Sequence, residues 1–348
     1  MKLGIMLPWN GPRVRIPVET IRLAEALGYD SLWSAEAYGS DALTPLAYIA
    51  AKTKRIRLGT SLLQLAARTP AATAMAVATL DQLAGEGRVI CGLGVSGPQI
   101  VEGWYGQPWG RPYHRVRDYV TIVRKVLRRE GPVAHAGREI SLPYTGEGSL
   151  AMGKALKSIL HTNPRIPIWL GTGSESMVKL TAEIADGWLP FGFNPGMLEL
   201  YRPWLEEGFR RAGGGKSLAG FEIQAGCSVA ITDDVRSALD AMKPMTALYV
   251  GGMGHPKLNF HKERMIRCGY REAALRIQEL FLAGRREEAV RAVPDEFLDA
   301  GGLVGPVARI RERWPRFRDG GATGITIHTE QEEALRLMAE LAECRPGA

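Results

Sequence analysis

Two short apolar runs, Ile56-Arg57-Leu58-Gly59-Thr60 and Arg88-Val89-Ile90-Cys91-Gly92-Leu93, flank the stretch Pro70-Ala71-Ala72-Thr73-Ala74-Met75-Ala76-Val77-Ala78-Thr79-Leu80-Asp81-Gln82-Leu83. The runs are the length of buried strands, and the segment between them is the length of a helix. Pro70 suits a first helical turn, and Gly85-Glu86-Gly87 supplies the stop. A strand, a helix and a second strand make a crossover, which returns the chain to the same end of a sheet and leaves the two strands parallel.

The same alternation extends in both directions. Upstream, Leu3–Leu7 reads as a strand, Ile16–Leu27 as a helix closed by Gly28, Ser31–Ser34 as a strand, and Thr44–Lys52 as a helix with Pro45 in its first turn. Downstream, Tyr113–Arg129 repeats Val116, Tyr119, Val120, Val123, Val126 and Leu127 at helical spacing. Strands then follow at Ile166–Leu170, Trp188–Phe191, Phe221–Ile231 and Gly324–His328. Their helices are Glu175–Ala185, Pro195–Arg211, Asp233–Leu248 and Glu330–Glu343. Residues 131–165 and 251–294 read as insertions, the second helical over Glu272–Leu282, and no element is read between 294 and 324. Eight strand–helix alternations predict an α/β fold: a closed TIM (β/α)8 barrel with insertions, a single domain over residues 1–348.

Composition narrows the function. The 348 residues carry 44 Lys+Arg against 37 Asp+Glu, a net charge of +7, with 45% hydrophobic and 23% charged residues. This is the balance of a globular enzyme-sized chain, and the scattered basic residues form no stripe of the kind that binds nucleic acid. No apolar run is long enough to cross a membrane. Cys91, Cys227, Cys268 and Cys344 lie too far apart for a Cys-x-x-Cys pair, and the six histidines show no metal-ligand spacing. Reduced thiols and the absence of a signal-peptide pattern at Met1–Trp9 predict a cytoplasmic protein with no metal site.

Ligands of such barrels bind where the strands end. The first strand ends in Pro8-Trp9-Asn10-Gly11, the second in Ala35-Glu36-Ala37-Tyr38 and the third in Ser61-Leu62-Leu63-Gln64. After the fourth strand, Gly92, Gly94 and Gly97 match Gly-x-Gly-x-x-Gly. A dinucleotide fingerprint should open a helix at once and place an acid at a strand end about 20 residues on. Here Pro98 and a loop follow, and Asp118 falls inside a helix, so these glycines read as a bend that also lets a flat ring approach the main chain. After the fifth strand, Gly171-Thr172-Gly173-Ser174 lies between a strand and a helix start. There, converging N–H groups can hold a phosphate, or Ser174 can simply cap the helix.

Four stretches together resemble the luciferase-like family of flavin- and deazaflavin-dependent oxidoreductases, in particular its coenzyme F420 branch. They are Gly28-Tyr29-Asp30-Ser31-Leu32-Trp33-Ser34-Ala35-Glu36, Arg57-Leu58-Gly59-Thr60-Ser61-Leu62-Leu63, the segment from Gly92 to Gly106, and Ile168-Trp169-Leu170-Gly171 with Glu183-Ile184-Ala185-Asp186-Gly187-Trp188. The resemblance implies a cofactor at the barrel mouth, coenzyme F420 or alternatively FMN, backed by a non-prolyl cis peptide at Ser61–Leu62. It implies that Val95, Ser96 and Gly97 line the cofactor, and that Gly171, Thr172, Gly173 and Ser174 lie near its phosphate. Glu36 matches an acidic position near the ring, and Tyr38 and Gln64 are the other polar candidates for catalysis. Ala37 stands where alcohol and sugar-phosphate dehydrogenases of the family carry histidine, so their substrates do not carry over. The expected activity is hydride transfer between carbon 5 of the deazaflavin and a small organic substrate, in a homodimer. The alternatives are an FMN-dependent monooxygenase of the same fold or a non-catalytic cofactor-binding homologue.

Overall fold

A computed structural model describes residues 1–8, 11–256 and 258–345. Eight parallel strands close into a ring: β1 (Lys2–Met6), β2 (Ser31–Ser34), β3 (Arg57–Thr60), β4 (Val89–Gly94), β5 (Ile168–Gly171), β6 (Gly187–Trp188), β7 (Glu222–Ile231) and β8 (Gly324–His328). Neighbours follow chain order from β1 to β7, and β8 sits between β7 and β1, which leaves the barrel no free edge. Helices α1 (Val18–Ala26), α2 (Leu43–Ala50), α3 (Pro70–Ala84), α4 (Pro112–Arg128), α5 (Glu175–Ile184), α6 (Met197–Ala212) and α7 (Val235–Gly251) follow the first seven strands.

The ring is packed on both faces. Outside it, Leu3, Leu32, Leu58, Val77, Val123 and Ile168 belong to one continuous core between strands and helices. Inside, Trp33 and Trp169 face each other at 5.3 Å and join Ile90 and Leu189. A Cβ on Gly59 would lie 2.4 Å from the Trp33 ring, so the bare main chain at that position is what admits the indole. Burying each of these large side chains is worth about 2–3 kcal/mol. At the N-terminal end of the barrel, Arg57 bonds Asp30 (2.5 Å) and Glu222 (3.0 Å), while Lys2 reaches Glu222 (2.7 Å). These groups shut the bottom, so a ligand enters from the other end.

The strand-three bulge has a measurable register. Gly59 pairs with Ile90 and Leu63 with Leu93, so four steps on one strand oppose three on the other. The Thr60 hydroxyl spans the gap, accepting from Gly92 N–H (2.9 Å) and donating to the Gly92 carbonyl (2.8 Å). Ser61–Leu62 is the cis bond within the bulge.

Several expectations are corrected. The sixth strand is only Gly187–Trp188: Leu189 still bonds Leu170, but Pro190 lacks an N–H and Gly192 turns the chain at φ +61°. A strand not read from the sequence, Gly302–Gly305, pairs with the outer half of β7 from Ser228 to Ile231. The 251–294 insertion forms α8 (Phe260–Arg267), α9 (Arg271–Leu282) and α10 (Arg286–Arg291). Past it come α11 (Asp295–Ala300) and a further unread helix, α12 (Val307–Arg318), whose buried face is Ile310, Trp314 and Phe317. The closing helix is α13 (Glu332–Leu341). A one-turn helix, Pro98–Val101, does open directly after Gly97, yet the closed barrel excludes a dinucleotide fold. Asp118 accepts from the N–H groups of Glu139 (2.7 Å) and Ile140 (3.1 Å) and from His135 (3.0 Å), anchoring the hairpin His135–Ala136/Ser141–Leu142 of the first insertion. The loop residues Trp9 and Asn10 lie outside the described residues. Among the described residues, no helix is long and apolar enough to cross a membrane, and no cluster of three or more His, Cys, Asp or Glu could hold a metal.

Candidate functional site

The C-terminal end of the barrel opens into a cavity of about 880 Å³. Ser61, Leu62, Val95, Ser96, Gly97, Gly171, Thr172, Gly173 and Ser174 all line it. Their arrangement follows from the bulge. The shift in register carries Leu62 across the ends of β4 and β5, where Gly94 and Gly171 receive it: a Cβ on either would lie 2.4 or 2.3 Å from Leu62 Cδ1. Ser96 holds a left-handed backbone at φ +62°, a conformation that costs a non-glycine residue about 1–2 kcal/mol. This wall is therefore built of main chain, a single leucine and small side chains, and a planar ring system can lie against it.

The β5 turn is fixed at three points. The Thr172 hydroxyl pairs with that of Thr181 at 2.8 Å, the Thr172 carbonyl accepts from the Trp188 indole at 2.9 Å, and Arg267 donates to the Gly173 carbonyl at 3.2 Å. Ser174 occupies the cap position of α5, but its hydroxyl makes no capping bond. A phosphate there would meet a free hydroxyl and the uncapped first turn of a helix.

The three candidates for catalysis are placed differently. Ala35 and Ala37 line the cavity, but Glu36 between them turns into the wall. Its carboxylate accepts from Arg68 (2.7 and 2.9 Å), from Gln64 N–H (2.9 Å) and from Ala42 N–H (3.3 Å), which pins the ends of β2 and β3 and the start of α2 together. Gln64 is buried beside it, donating to the Glu36 carbonyl at 3.0 Å. Neither side chain lines the cavity: the Glu36 carboxylate is taken up by Arg68 and main-chain N–H groups, and the Gln64 amide turns to the Glu36 main chain. Tyr38 stands at the mouth, half exposed, with its hydroxyl 3.8 Å from the Met253 sulfur.

The opposite wall comes from α7 and the second insertion. The insertion helices pack on α7 around a core of their own that includes Leu239, Val250, Met265, Ile277, Leu280 and Phe297. Buried Asn259 fastens this roof: its amide donates to the carbonyls of Tyr249 (3.1 Å) and Val250 (2.8 Å), and its oxygen caps α8 at His261 (3.0 Å) and Lys262 (2.9 Å). Toward the cavity the roof presents Met242, Met245, Tyr249, Met253, His261 and Arg264. His261 sits edge-on against Phe191 (4.5 Å) and Tyr249 (4.6 Å). Burial, then the charge of Arg264, pushes its pKa down to about 4. At the end of β8, His328 also lines the cavity; its ring keeps open surface there, and the surrounding barrel mouth pushes its pKa down. Both imidazoles are thus neutral at pH 7, each with one N–H and one lone pair. Sequence reasoning passed over these roof residues. Their only signal was the i, i+3 spacing of Arg264 and Arg267 on α8.

Comparison with known proteins agrees with this architecture. A Mycobacterium tuberculosis protein, provisionally named a coenzyme F420-dependent oxidoreductase, is 46% identical over 343 residues, covering 98% of this chain and 99% of that one. The 5,10-methylenetetrahydromethanopterin reductase of Archaeoglobus fulgidus is 27% identical, with 92% of each chain covered. The solved coenzyme F420-dependent tetrahydromethanopterin reductase of Methanopyrus kandleri superposes with a TM-score of 0.77 at 25% identity, covering 99% of both chains. The description Luciferase-like monooxygenase matches residues 1–324, and with that extent of agreement the chain belongs to the luciferase-like monooxygenase family.

Proposed function

We propose that the protein is a coenzyme F420-dependent oxidoreductase that transfers a hydride between the deazaflavin and a small organic substrate. The observation that carries this reading is the main-chain wall on which Leu62 rests against Gly94 and Gly171, a surface shaped for a flat ring and flanked by the uncapped turn at Ser174. The identity of 46% to a relative named for the same coenzyme supports it. When bound, the coenzyme supplies a ring carbon that gives or accepts a hydride as a two-electron carrier.

The rest is done by the chain itself. Leu62, Val95 and Ser96 would hold the ring in place, and the β5 turn would hold its phosphate. With coenzyme and substrate bound, the roof would limit the water that reaches the reacting carbons and hold the substrate against the ring. His261 and His328 are the neutral groups in the wall that can pass a proton to or from that substrate. Glu36, Gln64 and Arg68 act on the site only by holding the loops that form it. A homodimer belongs to the same proposal, through the outer face of α3, where Met75 and Leu83 stay exposed. Sedimentation as a monomer would remove that part.

Calorimetric titration of the purified protein with F420 and with FMN tests the main claim. The expected result is saturable F420 binding with no FMN competition, followed by turnover with a hydride acceptor. Tight FMN binding without affinity for F420, together with oxygen consumption on reduction, overturns it in favour of an FMN-dependent monooxygenase.

A further inference from the structure

Charge in the cavity gathers where α8 meets the β5 turn. Arg264 and Arg267 stand one helical turn apart on α8, and both line the cavity. Among the described residues neither makes an ion pair, whereas Arg57, Arg68, Arg117, Arg124, Arg309 and Arg313 each meet a carboxylate. Among the described residues Glu330 is the one acid in the cavity wall, and it belongs to an outward pair with Arg15 at 3.9 Å. Arg264 donates to the carbonyls of Phe191 and Gly192 and lies 5.0 Å over the Phe297 ring, so its position is set by the turn after β6 and by α11. Arg267 is held more loosely: Nη2 donates to the Gly173 carbonyl at 3.2 Å and reaches Tyr201 at 3.5 Å, while its buried Nε has no partner. A guanidinium with a buried, unused N–H beside an uncapped helix start forms a two-sided anion site, one side from the barrel and one from the roof.

We propose that Arg267 reads the anionic side chain of the coenzyme, pairing with its phosphate ester from the roof side, and so makes the site selective for the phosphorylated coenzyme over the phosphate-free ring. This rests on the reading that the cavity takes a flat, phosphate-bearing redox coenzyme. Arg264 adds a second uncompensated charge behind it. Because Arg267 belongs to α8 and Ser174 to the barrel, an anion bound between them also fastens the roof over the ring.

The test is calorimetric titration of wild type, R267M, R267K and R276M with F420 and with its phosphate-free deazaflavin core, with circular dichroism of each variant. Wild type should prefer F420. R267M should lose about tenfold or more of its F420 affinity while affinity for the core stays within about twofold, since one set of charge-assisted hydrogen bonds is removed. R267K keeps the charge and should retain most of the preference. R276M, at an exposed residue paired with Glu279, should behave as wild type. Equal losses for both ligands in R267M, an intact F420 affinity, or a wild type indifferent to the phosphate would each overturn the proposal. If wild type binds FMN and not F420, the coenzyme reading fails on its own. The same comparison with FMN against riboflavin then decides the role of Arg267.

Discussion

The floor and the roof of the cavity are built on opposite principles. The floor is main chain: β4 and β5 end in glycines, the bulge of β3 lays Leu62 over them, and Thr60 ties the bulge to Gly92. Its rigidity comes from the core that surrounds the whole barrel. The roof is side chain: methionines, aromatics, His261 and two arginines project from helices that share a separate, smaller core and hang on Asn259. A floor of this kind suits a ligand that never changes, whereas a roof of side chains can be rewritten without touching the barrel. Under the proposed function, the flat ring of the coenzyme would rest on the first region, and the second would face the substrate and, through Arg267, the coenzyme's phosphate.

The sharpest way to break this contrast is to substitute alanine at one position in each region. In the floor, Gly92→Ala would place a Cβ 1.8 Å from the Thr60 carbonyl oxygen, with main chain on both sides of the clash. We expect a loss of about 3 kcal/mol of stability, read from the urea unfolding midpoint, and coenzyme binding lost with it. A loss under about 1 kcal/mol would mean the floor yields, and the contrast would collapse.

In the roof, Asn259→Ala removes a helix cap and two bonds to α7. The expected cost is about 2 kcal/mol, but it should be local. Amide exchange should quicken across residues 251–300 while α3 and α4 keep their protection. Faster exchange throughout the chain would show that roof and barrel unfold as one unit.

The smallest effect concerns pH. His261 titrates at about 4 in the folded protein against 6.5 unfolded, so between those values the unfolded chain binds more protons. The contribution of His261 to stability should therefore be at its full value above pH 6.5, decline as pH falls toward about 4, and level off below that. Replacing His261 with Phe keeps the edge contacts to Phe191 and Tyr249 and should flatten that decline by about 1 kcal/mol between pH 7 and 5, because the ring is only partly shielded from cavity water. Urea midpoints at the two pH values measure it. An unchanged slope would assign the acid sensitivity to other groups.

The same division decided what the sequence revealed. Floor residues lie in short runs at strand ends, where glycine spacing and strand–helix alternation survive in the primary sequence, so Ser61, Leu62, Val95–Gly97 and Gly171–Ser174 could be placed at the mouth. Which way a side chain turns at that mouth was hidden. Glu36 stands between two cavity-lining alanines, and only the positions of Arg68, Gln64 N–H and Ala42 N–H, from elsewhere in the chain, send it the other way. The strand Gly302–Gly305 went unread because a four-residue run with glycine at both ends looks like a turn until β7 is seen to run long enough to pair with it. Helix α12 hid Ile310, Trp314 and Phe317 among five arginines and Pro315. The roof arginines carried no motif and were lost among 44 basic residues.

The paired indoles of Trp33 and Trp169 have one more consequence. Leu62 and Met6 pack on their cluster and also line the cavity, so the two rings lie one side-chain layer beneath whatever rests on Leu62. A ligand that absorbs where tryptophan emits must quench them by energy transfer. The barrel therefore carries a native optical gauge of its own occupancy, and exchanging either indole for phenylalanine would dim that signal at its source.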